Sequence, residues 1–298
     1  MPVCRPSSLL IGLWLLCATA ASQAETATRG EINWSMSPWP GLINARDDKP
    51  DSGIVVELLK QITQRLPEYR HRYSLVNLSR GLEQLKHGSL TCFLPIFRTP
   101  ERDQLGHYVS VFVAMPHQLL VRDADVERIS NGQAEVSLQR LLHDPHLRGG
   151  LIKDRSYGPA LDPLLQDPEV QARLLRIQTG GSGGNLYDML EYGRVDYLLD
   201  YAETLPFFQQ QGLARHIALL PLSEANTPYV SGIYCSKTTE GAQLIKRIDQ
   251  IAQQPEVIVH FRAAQQKYIP AATLQHYQPW LDAFFQQRAQ RDMTSLAP

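Results

Sequence analysis

Long apolar runs are absent from this chain of 298 residues beyond its first two dozen, and so is an excess of charge of either sign. Lysine and arginine total 29, aspartate and glutamate total 30, and the formal net charge is −1. Because no later run approaches the ~20 apolar residues that span a bilayer, the remainder is not expected to cross a membrane. The interspersed charges form no basic stripe, so nucleic acid is not expected as a partner.

Metal-binding and phosphate-binding motifs are also missing. His143 and His146 stand beside Asp144, but the sequence contains neither H-E-x-x-H nor paired C-x-x-C, so surface histidines are the simpler interpretation. It contains no P-loop, internal repeat or low-complexity tract. The sequence therefore predicts neither a bound metal nor a cofactor.

Cysteine is scarce, and two of the four residues lie in an N-terminal segment that is typical of an export signal. A basic residue precedes an apolar core at residues 9–20, and S-Q-A at residues 22–24 is a small-x-small cleavage site. We therefore expect residues 1–24 to be a signal peptide and the mature protein to be periplasmic. Export leaves Cys92 and Cys235 in an oxidising compartment, where an isolated pair favours a disulfide; two buried free thiols are the alternative.

The clearest functional signal lies where residues 92–97, an apolar run typical of a buried strand, give way to the start of a helix. Thr99 is a good N-cap, and Pro100 suits the first helical position. Arg98 and Arg102 flank this junction, and ligands of open α/β sheets bind beyond the carboxyl ends of strands. A guanidinium there matches a carboxylate or phosphate; the alternative is that both arginines are solvated or paired to surface acids.

This junction resembles family 3 of the bacterial extracellular solute-binding proteins, in which a strand leads into T-P-E-R. Other segments follow in the family's order over about residues 31–270: G-I-V-V-E-L-L at 53–59, L-E-Q-L-K-H-G at 82–88, G-R-V-D-Y at 193–197 and Y-V-S-G at 229–232. The resemblance implies an α/β, type II periplasmic binding protein fold. Such a fold has two lobes, each a mostly parallel sheet flanked by helices, joined by a two-strand hinge.

The implied lobes are residues 25–115 with 228–298, and residues 116–227. The resemblance also places the strand at residues 230–236 beside the strand of Cys92, which favours the disulfide. A last helix, predicted at residues 274–291, extends beyond the resemblance. We expect it to pack on the first lobe; a docking surface is the alternative.

The resemblance further implies a ligand site between the lobes. Arg102 stands where the family's arginine grips the ligand's α-carboxylate, and Asp200 where an acid receives the α-amino group. Trp39 stands where the family places an aromatic ring over the ligand, although a tryptophan that plugs the core is an equal alternative. Ser156 and Tyr157 lie in a turn that contacts the carboxylate in the family; simple helix capping is the alternative.

Asp200 and Arg80 both occupy positions that are unfavourable for their charge. Asp200 ends an apolar strand, and a carboxylate inside a cleft is unfavourable unless a cation meets it. That cation could be a ligand amine, Lys153 or a nearby arginine. Arg80 falls in the first turn of a helix that Ser79 could cap, where a cation opposes the helix dipole, and this misfit favours a role facing the ligand.

The sequence also departs from the family. Pro95 and Phe97 replace the two hydroxyl residues that precede T-P-E-R. Phe97 and Arg98 make the predicted site more aromatic and more basic. An ordinary α-amino acid is therefore not implied, and an anionic, aromatic or peptide-like solute is equally open. The full predicted ligand site comprises Trp39, Arg80, Phe97, Arg98, Thr99, Arg102, Ser156, Tyr157 and Asp200.

These features predict a monomeric binding protein, not an enzyme, that captures a small polar, carboxylate-bearing solute for an ABC transporter permease. A sensor that reports the ligand to a membrane receptor is the alternative. An enzyme on this scaffold is a third hypothesis: a hydrolase at Ser182, within the G-x-S-x-G of residues 180–184, or a lyase that uses Asp200 or Glu101. Four glycines make a loose loop rather than a strained elbow, so Ser182 or Asn185 as a helix cap explains that segment better.

Overall fold

The computed structural model describes Met1 and residues 29–290, apart from residues 88, 154 and 179–183. The predicted signal peptide and Ser182 of the G-x-S-x-G segment therefore lie outside the described residues. The chain forms two five-stranded sheets and a small hairpin.

The first sheet has the strand order β4-β1-β5-β12-β6. Its strand β12 is antiparallel to both neighbours, and the other four strands share one direction. A hairpin of β2 and β3 follows β1. The bounds are β1 Gly30–Met36, β2 Asn44–Arg46, β3 Lys49–Ser52, β4 Tyr69–Leu75, β5 Thr91–Ile96, β6 Gly106–Ala114 and β12 Tyr229–Ser236.

The second sheet has the order β11-β7-β10-β8-β9, and here β7 is the one reversed strand. The predicted mostly parallel sheets are thus confirmed. Its strands are β7 His117–Arg122, β8 Gly149–Ile152, β9 Leu174–Ile177, β10 Tyr197–Tyr201 and β11 Ile217–Leu220.

The chain crosses between the sheets twice. Met115 and Pro116 separate β6 from β7, and residues 221–228 connect β11 to β12. Proline lacks the N–H that would continue a strand ladder, which explains why one long apolar run becomes two strands. Each crossing enters the sheet's reversed strand. The two sheets lie on either side of the predicted lobe boundaries, and we use "first lobe" and "second lobe" for them with their helices.

Twelve helices and one 3-10 turn flank the sheets in the described residues. None of these helices is both long and apolar enough to cross a membrane. Asn77, not the predicted Ser79, caps α2, because its side chain accepts from the N–H of Arg80. The bounds are α1 Ile54–Thr63, α2 Leu78–Lys86, α3 Pro100–Asp103, η1 Asp123–Asp125, α4 Val126–Ser130, α5 Leu138–His143, α6 Asp162–Leu165, α7 Pro168–Gln171, α8 Gly184–Glu191, α9 Thr204–Gln210, α10 Thr239–Ala252, α11 Pro255–Tyr268 and α12 Ala271–Gln290.

A disulfide joins the central strand of the first sheet, β5, to its neighbour β12. Cys92 of β5 and Cys235 of β12 are direct partners in the strand register and are bonded to each other. Both cysteines are fully buried within the first lobe's core. The bond therefore ties together chain segments that are 143 residues apart.

The last helix, α12, contacts both lobes. It buries Tyr277, Leu281, Phe284 and Phe285 in the first lobe's core, as predicted. The buried ion pair of Arg288 with Asp249 fixes its far end to α10. Its first turns also reach the second lobe, where the hydroxyl of Thr273 donates to Gln118 at 3.1 Å and His276 lies 3.4 Å from Glu135.

Candidate functional site

A cavity of about 240 Å³ opens beyond the carboxyl ends of β1 and β5. The first lobe supplies most of its wall, and Tyr201, which ends β10, contributes from the second lobe. Most of the lining is apolar, including Leu42, Phe93 and Phe112, with the serines 37 and 231 as small polar residues. Among the described lining residues, Arg102 carries the one charged side chain.

Arg102 is brought to the cavity by the local structure that the sequence predicts. Thr99 accepts a hydrogen bond from the N–H of Arg102 at 3.2 Å and caps α3, and Pro100 occupies its first turn. A guanidinium carries several N–H donors, and among the described residues only the carbonyl oxygen of Phe97 accepts from this one, at 2.7 Å. Arg102 is half-buried, so it combines access to solvent with unused donors.

Two predicted aromatic residues line the same cavity. Trp39 packs edge-on against Tyr201 with ring centroids 5.5 Å apart, so this contact joins the lobes. Phe97 packs edge-on against Tyr229 at 5.9 Å, yet 41% of it remains exposed. The exposed ring is continuous with the apolar lining of the cavity, and contiguous exposed apolar surface marks ligand-binding grooves.

The lobes are in close contact next to Trp39. Gly41 has a φ of 83°, and a Cβ there would lie 2.2 Å from the carbonyl oxygen of Glu203 in the second lobe. Only glycine fits this approach, because any side chain would collide with the neighbouring backbone. The loop after β1 is thus seated directly on the junction of β10 and α9.

Asp200 does not line the cavity, and its carboxylate already has a cation. Arg155 Nη2 donates to Asp200 Oδ1 at 2.9 Å, and both side chains are buried. The sequence left three candidates for this cation: a ligand amine, Lys153 or a nearby arginine. In the structure it is the arginine, Arg155. The guanidinium carbon lies 4.6 Å from the ring centroid of Trp39, 5.1 Å from that of Tyr157 and 5.3 Å from that of Tyr201. We call Trp39, Tyr157, Tyr201 and Asp200 the cation cage.

Hydrogen bonds fix the orientation of the Asp200 carboxylate. The hydroxyl of Tyr187 donates to Oδ2 at 3.1 Å, and the backbone N–H of Tyr201 donates to Oδ1 at 2.9 Å. Burial is the largest single influence and lowers the pKa of Arg155. The charge of Asp200, its hydrogen bond and the neighbouring tyrosines Tyr157 and Tyr201 together outweigh burial, so the pKa is raised. Burial, reinforced by the Arg155 cation, lowers the pKa of His117 well below its usual value, so the imidazole beside Arg155 is neutral.

Glu203 is a buried acid that the sequence argument did not identify. Its carboxylate oxygens have no hydrogen-bond partner on any other described residue. Burial, with a smaller contribution from Asp200, raises the pKa of Glu203 to about 8. At neutral pH the protonated form of Glu203 therefore predominates.

Two predicted arginines lie outside the cavity. Arg98 pairs with Asp103 at 3.0 Å and lies 5.6 Å from the ring centroid of Tyr108, and its bond to Asp103 raises its pKa. Arg80 is exposed on α2 and does not line the cavity. The structure thus favours the paired and solvated alternatives for these side chains, because acids or water already satisfy their charge.

The predicted turn residues are also engaged within the protein. The hydroxyl of Ser156 donates to Asp162 at 2.5 Å, and that of Tyr157 accepts from the N–H of Ile152 at 2.8 Å. Thr99 serves as the α3 cap described above. Ser156 is thus held by Asp162 and does not cap a helix, because α6 begins after Leu161, which makes no side-chain capping bond. Tyr157 contributes its ring to the cation cage.

Neither acid of the lyase hypothesis lies where it could act as a general base on a ligand in the cavity. Glu101 is exposed and does not line it, and Asp200 is paired with Arg155. The important residues that the sequence argument missed are Arg155, Tyr201 and Glu203. A signal existed for the last two, since a polar group at the carboxyl end of a predicted strand is a candidate for any α/β site.

Comparisons with known proteins bear on the fold. No protein-family model and no curated protein matches the sequence. Among solved structures, the probable amino-acid ABC transporter extracellular-binding protein YtmK from Bacillus subtilis is 15% identical, with a TM-score of 0.59 over 82% of this chain and 99% of that one. A putative L-cystine ABC transporter protein from Listeria monocytogenes is 19% identical, with a TM-score of 0.54 over 82% and 97%.

An ancestral amino-acid-binding protein, described as a precursor of cyclohexadienyl dehydratase, is 12% identical with a TM-score of 0.56 over 81% of this chain and 96% of that one. These similar structures include binding proteins of amino-acid transporters and a precursor of an enzyme. At such low identity the likeness concerns the fold. This chain has the two-lobed fold of the type II periplasmic binding proteins.

Proposed function

We propose that this protein captures a small carboxylate-bearing solute in the cavity beside Trp39 and Arg102 and delivers it to a membrane transporter. The observation that carries the proposal is the Arg102 guanidinium, which lies in a mostly apolar cavity and has only one hydrogen-bond acceptor for its N–H groups among the described residues. A guanidinium binds a carboxylate through two parallel hydrogen bonds. The fold shared with proteins named as amino-acid ABC transporter binding proteins supports the transport role.

The cavity also limits the ligand's size and character. Drug-sized ligands occupy pockets of roughly 300–1,000 Å³, and this cavity measures about 240 Å³. Its wall offers aromatic and aliphatic surface rather than an array of polar groups. The fitting solute is therefore the size of an amino acid and has an apolar or aromatic body.

The partner distinguishes transport from sensing. A transporter takes the ligand from the binding protein, whereas a receptor reads the ligand-bound form without taking the ligand. We propose that the partner is an ABC transporter permease. We also propose that the protein is periplasmic after export and binds its ligand as a monomer. Uptake of radiolabelled ligand by cells with and without the gene checks this, since a sensor would leave uptake unchanged.

The ligand is found by a thermal-shift screen of the mature protein against organic acids, amino acids, small peptides and amines. A ligand at about a hundred times its dissociation constant stabilises the folded state by roughly 2.7 kcal/mol, which is a readable shift. The strongest ligand is then titrated calorimetrically into the wild type and two variants. Arg102→Ala removes the proposed carboxylate donor, and Arg80→Ala makes the same change at an exposed site away from the cavity.

We expect Arg102→Ala to weaken binding by about 2–5 kcal/mol, because it leaves a desolvated carboxylate unpaired. Arg80→Ala should bind as the wild type does. Equal affinity of Arg102→Ala and wild type would refute the proposed site.

A further inference from the structure

The cation cage adjoins the proposed ligand cavity and shares two of its walls. Trp39 and Tyr201 each line the cavity and each face the Arg155 guanidinium. A ligand whose carboxylate meets Arg102 therefore lies against the same two rings as Arg155. The group that occupies the cage therefore also determines which charged groups a bound ligand can have.

The cage has the chemistry of a cation-binding site. Aromatic faces attract a guanidinium or an ammonium within about 6 Å of the ring centroid, and three rings of the cage meet that distance from Arg155. Asp200 supplies the opposite charge, and its carboxylate is oriented by Tyr187 and by a backbone N–H. Nothing in this arrangement is specific to a protein side chain, so a ligand ammonium would satisfy the same groups.

Arg155 reaches the cage from the turn that follows β8, 45 residues before Asp200. Its guanidinium also lies 3.2 Å from His117 Nε2, and its Nε has no partner among the described residues. A second cation in the same cage would face Arg155 directly, and like charges at close range repel.

We propose that Arg155 is a resident cation that fills this cage and thereby excludes ligands that carry an ammonium group. This inference rests on the proposed function and refines it: the solute is an apolar carboxylate without an amino group. Arg155 is then a specificity-determining residue, since discrimination arises from a repulsive element against the rejected ligand as well as from contacts to the accepted one.

The test uses three probes that differ only in their charged groups. These are 3-phenylpropanoate, L-phenylalanine and 2-phenylethylamine, titrated calorimetrically into the wild type, Arg155→Ala and the double variant Arg155→Ala/Asp200→Asn. The double variant removes both charges, so it empties the cage without leaving a buried anion.

We expect the wild type to bind 3-phenylpropanoate at least about tenfold more tightly than L-phenylalanine. In Arg155→Ala this preference should shrink or reverse, because the L-phenylalanine ammonium enters the cage. The double variant should not gain affinity for the ammonium. Equal affinities of the wild type for the two acids, or an unchanged preference in Arg155→Ala, would overturn the proposal.

The amine probe separates this proposal from the proposed function. If the wild type binds neither acid, the cavity assignment fails while the cage is still tested by 2-phenylethylamine, which has no carboxylate. Stabilisation of Arg155→Ala by this amine in a thermal-shift assay, without stabilisation of the wild type or the double variant, supports the cage. No stabilisation of Arg155→Ala refutes it. This assay measures stabilisation of the folded state by the amine. It can therefore be used even if Arg155→Ala is only marginally folded.

Discussion

Arg102 and Arg155 stand on opposite lobes and face neighbouring parts of one cleft, yet their charges are satisfied in different ways. Arg155 is buried, paired with Asp200 and surrounded by three aromatic rings. Arg102 is half-buried and donates to one backbone carbonyl among the described residues. A cation whose charge the protein already balances contributes to the folded structure, whereas one with free donors is available to a ligand.

The same difference explains why the two arginines have different roles, Arg155 in stability and Arg102 in ligand binding. Breaking a buried pair leaves an uncompensated charge in a poor solvent, and removing a half-exposed guanidinium leaves only a space that water fills. Substitutions in the cation cage should therefore mainly lower stability, whereas substitution of Arg102 should mainly weaken ligand binding.

The largest expected effect is on stability at the cage. Asp200→Ala leaves the Arg155 cation buried without its partner, which should lower the free energy of unfolding by about 3–5 kcal/mol. Urea unfolding followed by circular dichroism measures this loss. A loss below about 1 kcal/mol would show that water or another acid serves Arg155, and would remove the contrast with Arg102.

A second buried acid gives the stability of this region a pH dependence. The pKa of Glu203 is raised from 4.5 to about 8 in the folded protein, mainly by burial. Between these values the folded chain holds a proton that the unfolded chain has lost. The free energy of unfolding should therefore fall as pH rises from 4.5 towards 8, by at most about 1.4 kcal/mol per pH unit from this group.

Glu203→Gln isolates that contribution, because a glutamine keeps the shape of the neutral acid and does not titrate. The stability difference between the wild type and Glu203→Gln should shift steadily in favour of the variant across this pH range. Parallel curves for the two proteins would mean that Glu203 is hydrated or paired in solution.

The smallest expected effect is on stability at the cavity edge. Arg102→Ala should change the free energy of unfolding by no more than about 0.5 kcal/mol, as is usual for surface sites without buried partners. The same urea titration checks it, with Asp200→Ala as the internal reference. A loss comparable to that of Asp200→Ala would make Arg102 a structural cation as well.

The sequence predicts best what depends on neighbouring residues. The apolar run at residues 92–97, predicted as a buried strand, matches β5, Thr91–Ile96, since a continuous apolar run is a local signal. The α3 cap and the position of Arg102 were predictable for the same reason. The pairing of Cys92 with Cys235 followed from strand neighbours that the family resemblance implied.

The sequence predicts least well what depends on distant residues meeting in the fold. Arg155 lies in a turn that was identified for Ser156 and Tyr157, and nothing local shows that it reaches Asp200, 45 residues later. Likewise, no feature of the local sequence shows that Glu203 is buried against Gly41 of the other lobe. Arg80 and Arg98 illustrate the converse: a position near the site is not sufficient when solvent or Asp103 already satisfies the charge.

The most direct test of the central claim is a crystal structure of the protein with the strongest ligand from the thermal-shift screen. The account predicts a ligand carboxylate within hydrogen-bond distance of the Arg102 guanidinium, with Arg155 still paired to Asp200 in the cation cage. A ligand cation in the cage with Arg155 displaced, or a carboxylate bound away from Arg102, would contradict it.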